Sequence, residues 1–171
     1  VMHRDDKAGL ITFTDKMDTF VAPSRRTGQM QRLFDALYMQ ETDFGESDFS
    51  NLCVNVRKQV SKRSLLVVYT NFSSMTALNR QLSYLKLLSR WHRVLVVFFE
   101  DSEMNDFIQT SKRSIEEYYQ HVIAEKFTYE KRLIVSTLHQ PGIYSILTTP
   151  ERRSVDVINK YVEMKQSHVL S

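Results

Sequence analysis

The run Leu65-Leu66-Val67-Val68-Tyr69 stops abruptly in Thr70-Asn71-Phe72-Ser73-Ser74. An apolar, β-branched run that ends in small polar residues is how a buried parallel strand delivers a loop to the edge of an α/β sheet, where ligands bind. A metal or a catalytic base at that edge calls for a carboxylate, but position 71 holds Asn. The second candidate is the acidic stretch Glu41-Thr42-Asp43-Phe44-Gly45-Glu46-Ser47-Asp48. Its carboxylates Asp43, Glu46 and Asp48 have the chemistry of a metal-dependent hydrolase or nuclease. Alternatively, this is a solvated loop in which Ser47 or Asp48 caps the next helix.

Other catalytic signatures are missing. With four glycines the chain has no GxGxxG and no P-loop, so it lacks the usual phosphate cradle. GxSxG is absent too. His3, His92, His121, His139 and His168 lie far apart without ligand spacing and read as surface or helix-end residues. Cys53 is the single cysteine, which excludes an internal disulfide and reads as a small buried hydrophobe on a helix. No cofactor is expected. The net charge of +3 comes from Lys and Arg scattered among Asp and Glu, not from a concentrated basic stripe, so nucleic acid is not the expected partner. Arg25-Arg26, Arg57-Lys58, Lys62-Arg63 and Arg152-Arg153 read as solvated helix ends.

The elements that must position these residues follow from periodicity. Gly9–Thr14 and Met17–Val21 read as a hairpin closed by Pro23-Ser24. Thr27 is the expected N-cap of a helix reaching about Gln40, with Met30, Leu33, Phe34, Leu37 and Tyr38 at helical spacing. A second helix carries Phe49, Leu52, Cys53, Val56 and Val60 on one face. After the Leu65–Tyr69 strand, Ser74 or Thr76 caps a helix through Leu78, Leu82, Leu85 and Leu88. Val94–Phe99 is a fully buried strand. The stretch from Ser102 to about His139 is chiefly helical, with Ile115, Tyr118, Val122 and Ile123 expected inside. Gly142 ends it, Ile143–Leu147 is the last strand, and Pro150 opens a closing helix with Val155, Ile158, Tyr161 and Val162 facing inward.

Strands separated by helices imply an α/β fold, a mostly parallel sheet with one antiparallel edge strand and helices on both faces. At 171 residues the chain is expected to be one domain. No apolar run approaches the roughly 20 residues of a membrane span. Opening on Val1, the sequence reads as a piece of something longer.

The order of pieces resembles a known family. "DDKAGLITFTDKMDTFVAPSRR" is similar to the second strand and antiparallel edge strand of a von Willebrand factor A-like domain, in the bacterial family called domain of unknown function fifty-eight. "LFDALYMQETDFGESDFSNL" resembles the following helix and second metal-site loop, "RSLLVVYTNFSS" the third-loop strand, and "LLSRWHRVLVVFFED" the strand after it. "GIYSILTTPERRSVDVINKYVEMKQ" resembles the final strand and helix.

The resemblance implies a Rossmann-type topology whose first, central strand, between Gly9–Thr14 and Leu65–Tyr69, is missing here. A partner chain, an oligomer contact, a shifted pairing or upstream residues would close that gap. It also implies a non-enzymatic interaction or assembly module in the cytoplasm of a bacterium, with membrane helices upstream. Its implied partners are a MoxR-type AAA ATPase or another von Willebrand A protein. Members of that fold hold a divalent ion with an Asp-x-Ser-x-Ser loop, a threonine and an aspartate. Here the threonine position falls on Ser47, the aspartate on Asn71, and the first loop has no counterpart. A hard divalent cation needs anionic oxygen. The implied site is therefore degenerate and metal-free, with Ser47, Asp48, Thr70, Asn71, Phe72 and Ser73 left as docking loops.

Overall fold

The computed structural model describes residues 6–40, 47–72, 74–111, 114–139 and 142–167. The chain divides into two compact units, Val1–Lys62 and Arg63–Ser171.

In the first unit, β1 (Ala8–Phe13) and β2 (Met17–Ser24) form an antiparallel pair. Gly9 sits where the register shifts between Ala8 and Leu10, and a Cβ on it would lie 2.7 Å from the Val21 carbonyl oxygen, so only glycine fits. β2 runs through Pro23 and Ser24, beyond the expected close of the hairpin; on the outer side of a two-stranded sheet the missing proline N–H costs no ladder bond.

Helix α1 (Gln29–Tyr38) follows. Thr27 is not its cap: the chain enters through Gly28 at φ 86°, a left-handed turn that suits glycine, with no side-chain cap. The one buried residue of α1 is Gln29, whose amide Nε2 donates to the carbonyls of Ala8 (2.8 Å) and Ala22 (3.0 Å) and so ties the helix to the hairpin. Met30, Phe34, Leu37 and Tyr38 stay exposed.

Helix α2 (Phe49–Gln59) buries Phe49, Leu52, Cys53 and Val56, as their spacing predicts. Phe49 meets Phe13 edge-on at 5.3 Å. Burial pushes the Cys53 thiol up to about 11, with the Asp48 carboxylate adding to the effect.

The second unit holds β3 (Leu65–Tyr69), α3 (Met75–Trp91), β4 (Arg93–Phe99), α4 (Ser102–Gln109), α5 (Ile115–Thr137), β5 (Ile143–Thr148) and α6 (Arg153–Gln166). Its three strands are parallel in the order β3-β4-β5, flanked by helices. Val94, Leu95, Val96 and Val97 are all 0% exposed, which in a strand of alternating side chains means that both faces are covered.

The fold is thus α/β as expected, with one difference. The hairpin is a sheet of its own and not the antiparallel edge of the parallel sheet, so among the described residues β1 pairs only with β2. On β3, Ser64 O accepts from Arg93 N and Thr70 N donates to Val97 O. Alternation then turns the backbones of Leu65, Val67 and Tyr69 away from β4, where no strand among the described residues pairs with them.

The long helical stretch is broken. Asp101 caps α4, the chain turns extended at Thr110, and Ser114 caps α5 by accepting from Glu117 N. The inner face of α5 also differs from expectation. Ala124, Ile134 and Leu138 are buried, whereas Ile115 (72%), Tyr118, Val122 and Ile123 are exposed. On α6, Ile158 and Tyr161 are half-buried and Met164 is buried, while Val155 and Val162 face solvent. No helix among the described residues is long and apolar enough to cross a membrane.

His92 ends α3 and is 3% exposed, with no partner for Nδ1 among the described residues. Burial, helped by the Arg63 charge, holds its pKa below the ordinary 6.5, so the folded state keeps the ring neutral while the unfolded chain protonates it. The unfolded state therefore binds more protons between the two values. This contribution to stability is complete above pH 6.5 and is lost as pH falls toward the folded value. We expect the unfolding midpoint to fall between pH 7.5 and pH 5, and the fall to be smaller in His92→Leu. An identical pH profile in that variant would remove His92 as the cause.

Candidate functional site

The carboxyl ends of the three parallel strands converge on one edge of the sheet, the usual ligand edge of such folds. At the end of β3, Thr70 continues the ladder by one hydrogen bond to Val97. Asn71 is exposed. Phe72 is buried at 7%, its ring 5.9 Å from that of Phe98. It plugs the turn and offers a partner no exposed anchor. Ser74, not Thr76, then caps α3 by accepting from Ala77 N at 3.2 Å. Ser73 lies outside the described residues.

The end of β4 brings two carboxylates that were not among the expected site residues, Glu100 and Asp101. Asp101 Oδ1 accepts from Met104 N at 3.1 Å and caps α4. Glu100 lies 3.9 Å from Arg132 Nη2, and its own N–H donates to Thr148 O. Lys131 Nζ donates to Phe99 O at 2.6 Å. At the end of β5, Thr148 Oγ1 donates to Asp156 Oδ2 at 2.6 Å, and Asp156 Oδ1 faces Arg152 at 3.5 Å. Asp101, Glu100 and Asp156 thus each cap a helix or meet a cation. Among the described residues no three His, Cys, Asp or Glu side chains are grouped to hold a metal ion.

Ser47 and Asp48 belong to the first unit, Thr70, Asn71 and Phe72 to the second. Ser47 is exposed. Asp48 is the cap of α2: Oδ1 accepts from Ser50 N and Ser50 Oγ, each at 2.7 Å, and from Asn51 N at 3.2 Å. The Ser50 hydroxyl, then the Asn51 N–H, hold its pKa below the usual carboxylate value against an opposing effect of burial. Asp43 and Glu46 lie outside the described residues.

No family model matches the chain. No curated protein and no solved structure matches it significantly either.

The geometry of the strand ends carries one prediction. Asn71 supplies no charge, and the carboxylates that follow the neighbouring strand β4, Glu100 and Asp101, have other partners. Saturating Mg²⁺ or Mn²⁺ is therefore expected to leave the unfolding midpoint unchanged, in the natural chain and in Asn71→Asp alike. A site filled at a hundred times its dissociation constant would add about 2.7 kcal/mol. At this chain length that is a rise of roughly 5 to 10 °C. A rise of several degrees in the natural chain would overturn the metal-free reading.

Proposed function

We propose that this chain is a non-enzymatic protein-interaction module of von Willebrand A-like kind, docking its partner through the outward face of α5. The observation that carries this reading is the exposed stripe Ile115, Tyr118, Tyr119, Val122, Tyr129 and Leu133. At 100° per residue these six side chains fall within about 100° of arc, over roughly 27 Å of helix. An isolated exposed apolar residue needs no explanation, but six on one face of a helix mark an interaction surface. Tyrosine suits such a surface, since it gives rigid apolar area with a polar tip.

The parallel strand order supports the von Willebrand A-like reading, and so does the outer side of β3, which no strand among the described residues pairs. On this reading Ser47 and Asn71 are remnants of a metal site, and Asp48 has become a helix cap. The partner class that the resemblance implies, a MoxR-type AAA ATPase or another von Willebrand A protein, is the first to test. The hydrolase alternative through Asp43, Glu46 and Asp48 gains nothing from Asp48, whose Oδ1 is already used by the helix start.

A photo-crosslinking amino acid at Tyr119, in cells that make the protein, tests this directly. A discrete protein adduct is expected from position 119 and not from the exposed polar position Ser83 on α3. Adducts of equal yield from both positions, or none, would contradict it.

A further inference from the structure

The first unit contains a cavity of about 840 Å³ beside β2, lined by residues from Phe20 to Arg26 together with Lys7 and Arg32. Four of its lining residues are cationic: Lys7, Arg25, Arg26 and Arg32. These four are gathered around one hollow, although along the sequence Lys and Arg are scattered among Asp and Glu. No Asp or Glu is among the described residues that line it. Phe20 contributes an aromatic wall.

We infer that this cavity is a binding site for a small polyphosphorylated ligand, such as a nucleoside or sugar polyphosphate. Three of the cations are guanidinium groups, whose planar forks match phosphate oxygens in pairs. Several cations around one hollow suit several phosphates on one ligand better than a single carboxylate. The concave shape and the volume fall within the range of small-molecule sites, about 300–1,000 Å³. A nucleic acid would instead follow an extended basic stripe. Phe20 gives the base or sugar of the ligand an apolar surface to lie on.

The test is calorimetric titration of the full chain with ATP, inorganic tripolyphosphate and adenosine, at low and at near-physiological ionic strength. ATP and tripolyphosphate are expected to bind, ATP the tighter, and adenosine alone not to bind. Both affinities should fall as salt rises. Arg26→Ala and Arg32→Ala, both at exposed positions, should each weaken ATP about tenfold with the circular dichroism spectrum unchanged. The inference is overturned if neither polyphosphate binds, or if the Arg26→Ala/Arg32→Ala double variant binds as the natural chain does. A single-stranded oligonucleotide and anionic vesicles, titrated in the same way, complete the set, and binding confined to either of them would overturn the inference equally.

Discussion

Replacing Phe98 by alanine is expected to destabilise the second unit by about 3–5 kcal/mol, far more than a surface substitution would. Phe98 lies on the central strand β4, is 1% exposed, and meets the ring of Phe72. The strands on both sides hold the backbone of β4 in place, so the structure cannot collapse into the space the ring leaves. Both the lost transfer energy and the cavity therefore count. Against a total of about 5–15 kcal/mol for a typical domain, the loss is a large share. Urea unfolding should show a much lower midpoint with an unchanged slope, since the surface exposed on unfolding is nearly the same. Phe98→Leu should cost far less, about 1 to 1.5 kcal/mol, because it keeps most of the volume. A loss below about 1 kcal/mol for the alanine variant would mean that the β3-β4-β5 core is not packed as described.

The elements of that core were legible for a plain reason. LLVVY and VLVVFF are runs too apolar for a surface and too short for a buried helix, and polar residues bound them. The caps were legible as pairs of candidates, Ser47 or Asp48 and Ser74 or Thr76, and the structure decides for Asp48 and Ser74, whose side chains accept from N–H groups two or three residues away. What could not be read was which side of a helix meets the sheet. Periodicity finds the stripe Ile115, Tyr118, Val122 on α5, but the side that packs inward is the less apolar one, built on Ala124, Ile134 and Leu138. The same holds on α1, where the buried contact is a glutamine amide and Phe34 is left outside.

Strand pairing was also beyond reach. Whether the hairpin joins the parallel sheet depends on contacts between residues far apart in sequence, and no local pattern carries that. Of the candidate site, the placement of Asn71 just after β3 followed from the strand end itself. Phe72 is a different matter, since an aromatic residue after a strand can turn inward or outward and only the packing against Phe98 decides it. Glu100 and Asp101 follow β4 as directly as Thr70 and Asn71 follow β3. The same strand-end logic, applied to VLVVFFED, would have found them.

The second large effect concerns the outward face of α5. Tyr119 (67% exposed) and Val122 (46%) sit within the stripe, and neither is part of the buried core. Glutamate at both positions should change stability by no more than about 0.5 kcal/mol each, as surface substitutions generally do. At an interface the same change is severe. It removes apolar contact at its centre and leaves two carboxylates to be desolvated without partners. Losing one central anchor of this kind costs about 2 kcal/mol or more, so the double variant should bind at least 30-fold more weakly even if only one of the two is such an anchor. The contrast between unchanged folding and lost binding separates a docking face from a merely awkward surface.

That contrast is measured most directly as the dissociation constant for the partner recovered by crosslinking from position 119, compared between the natural chain and the Tyr119→Glu/Val122→Glu variant. The docking account predicts a loss of at least 30-fold, with unfolding midpoints that agree within a few degrees. Affinities within about twofold of each other, with both chains fully folded, would contradict it.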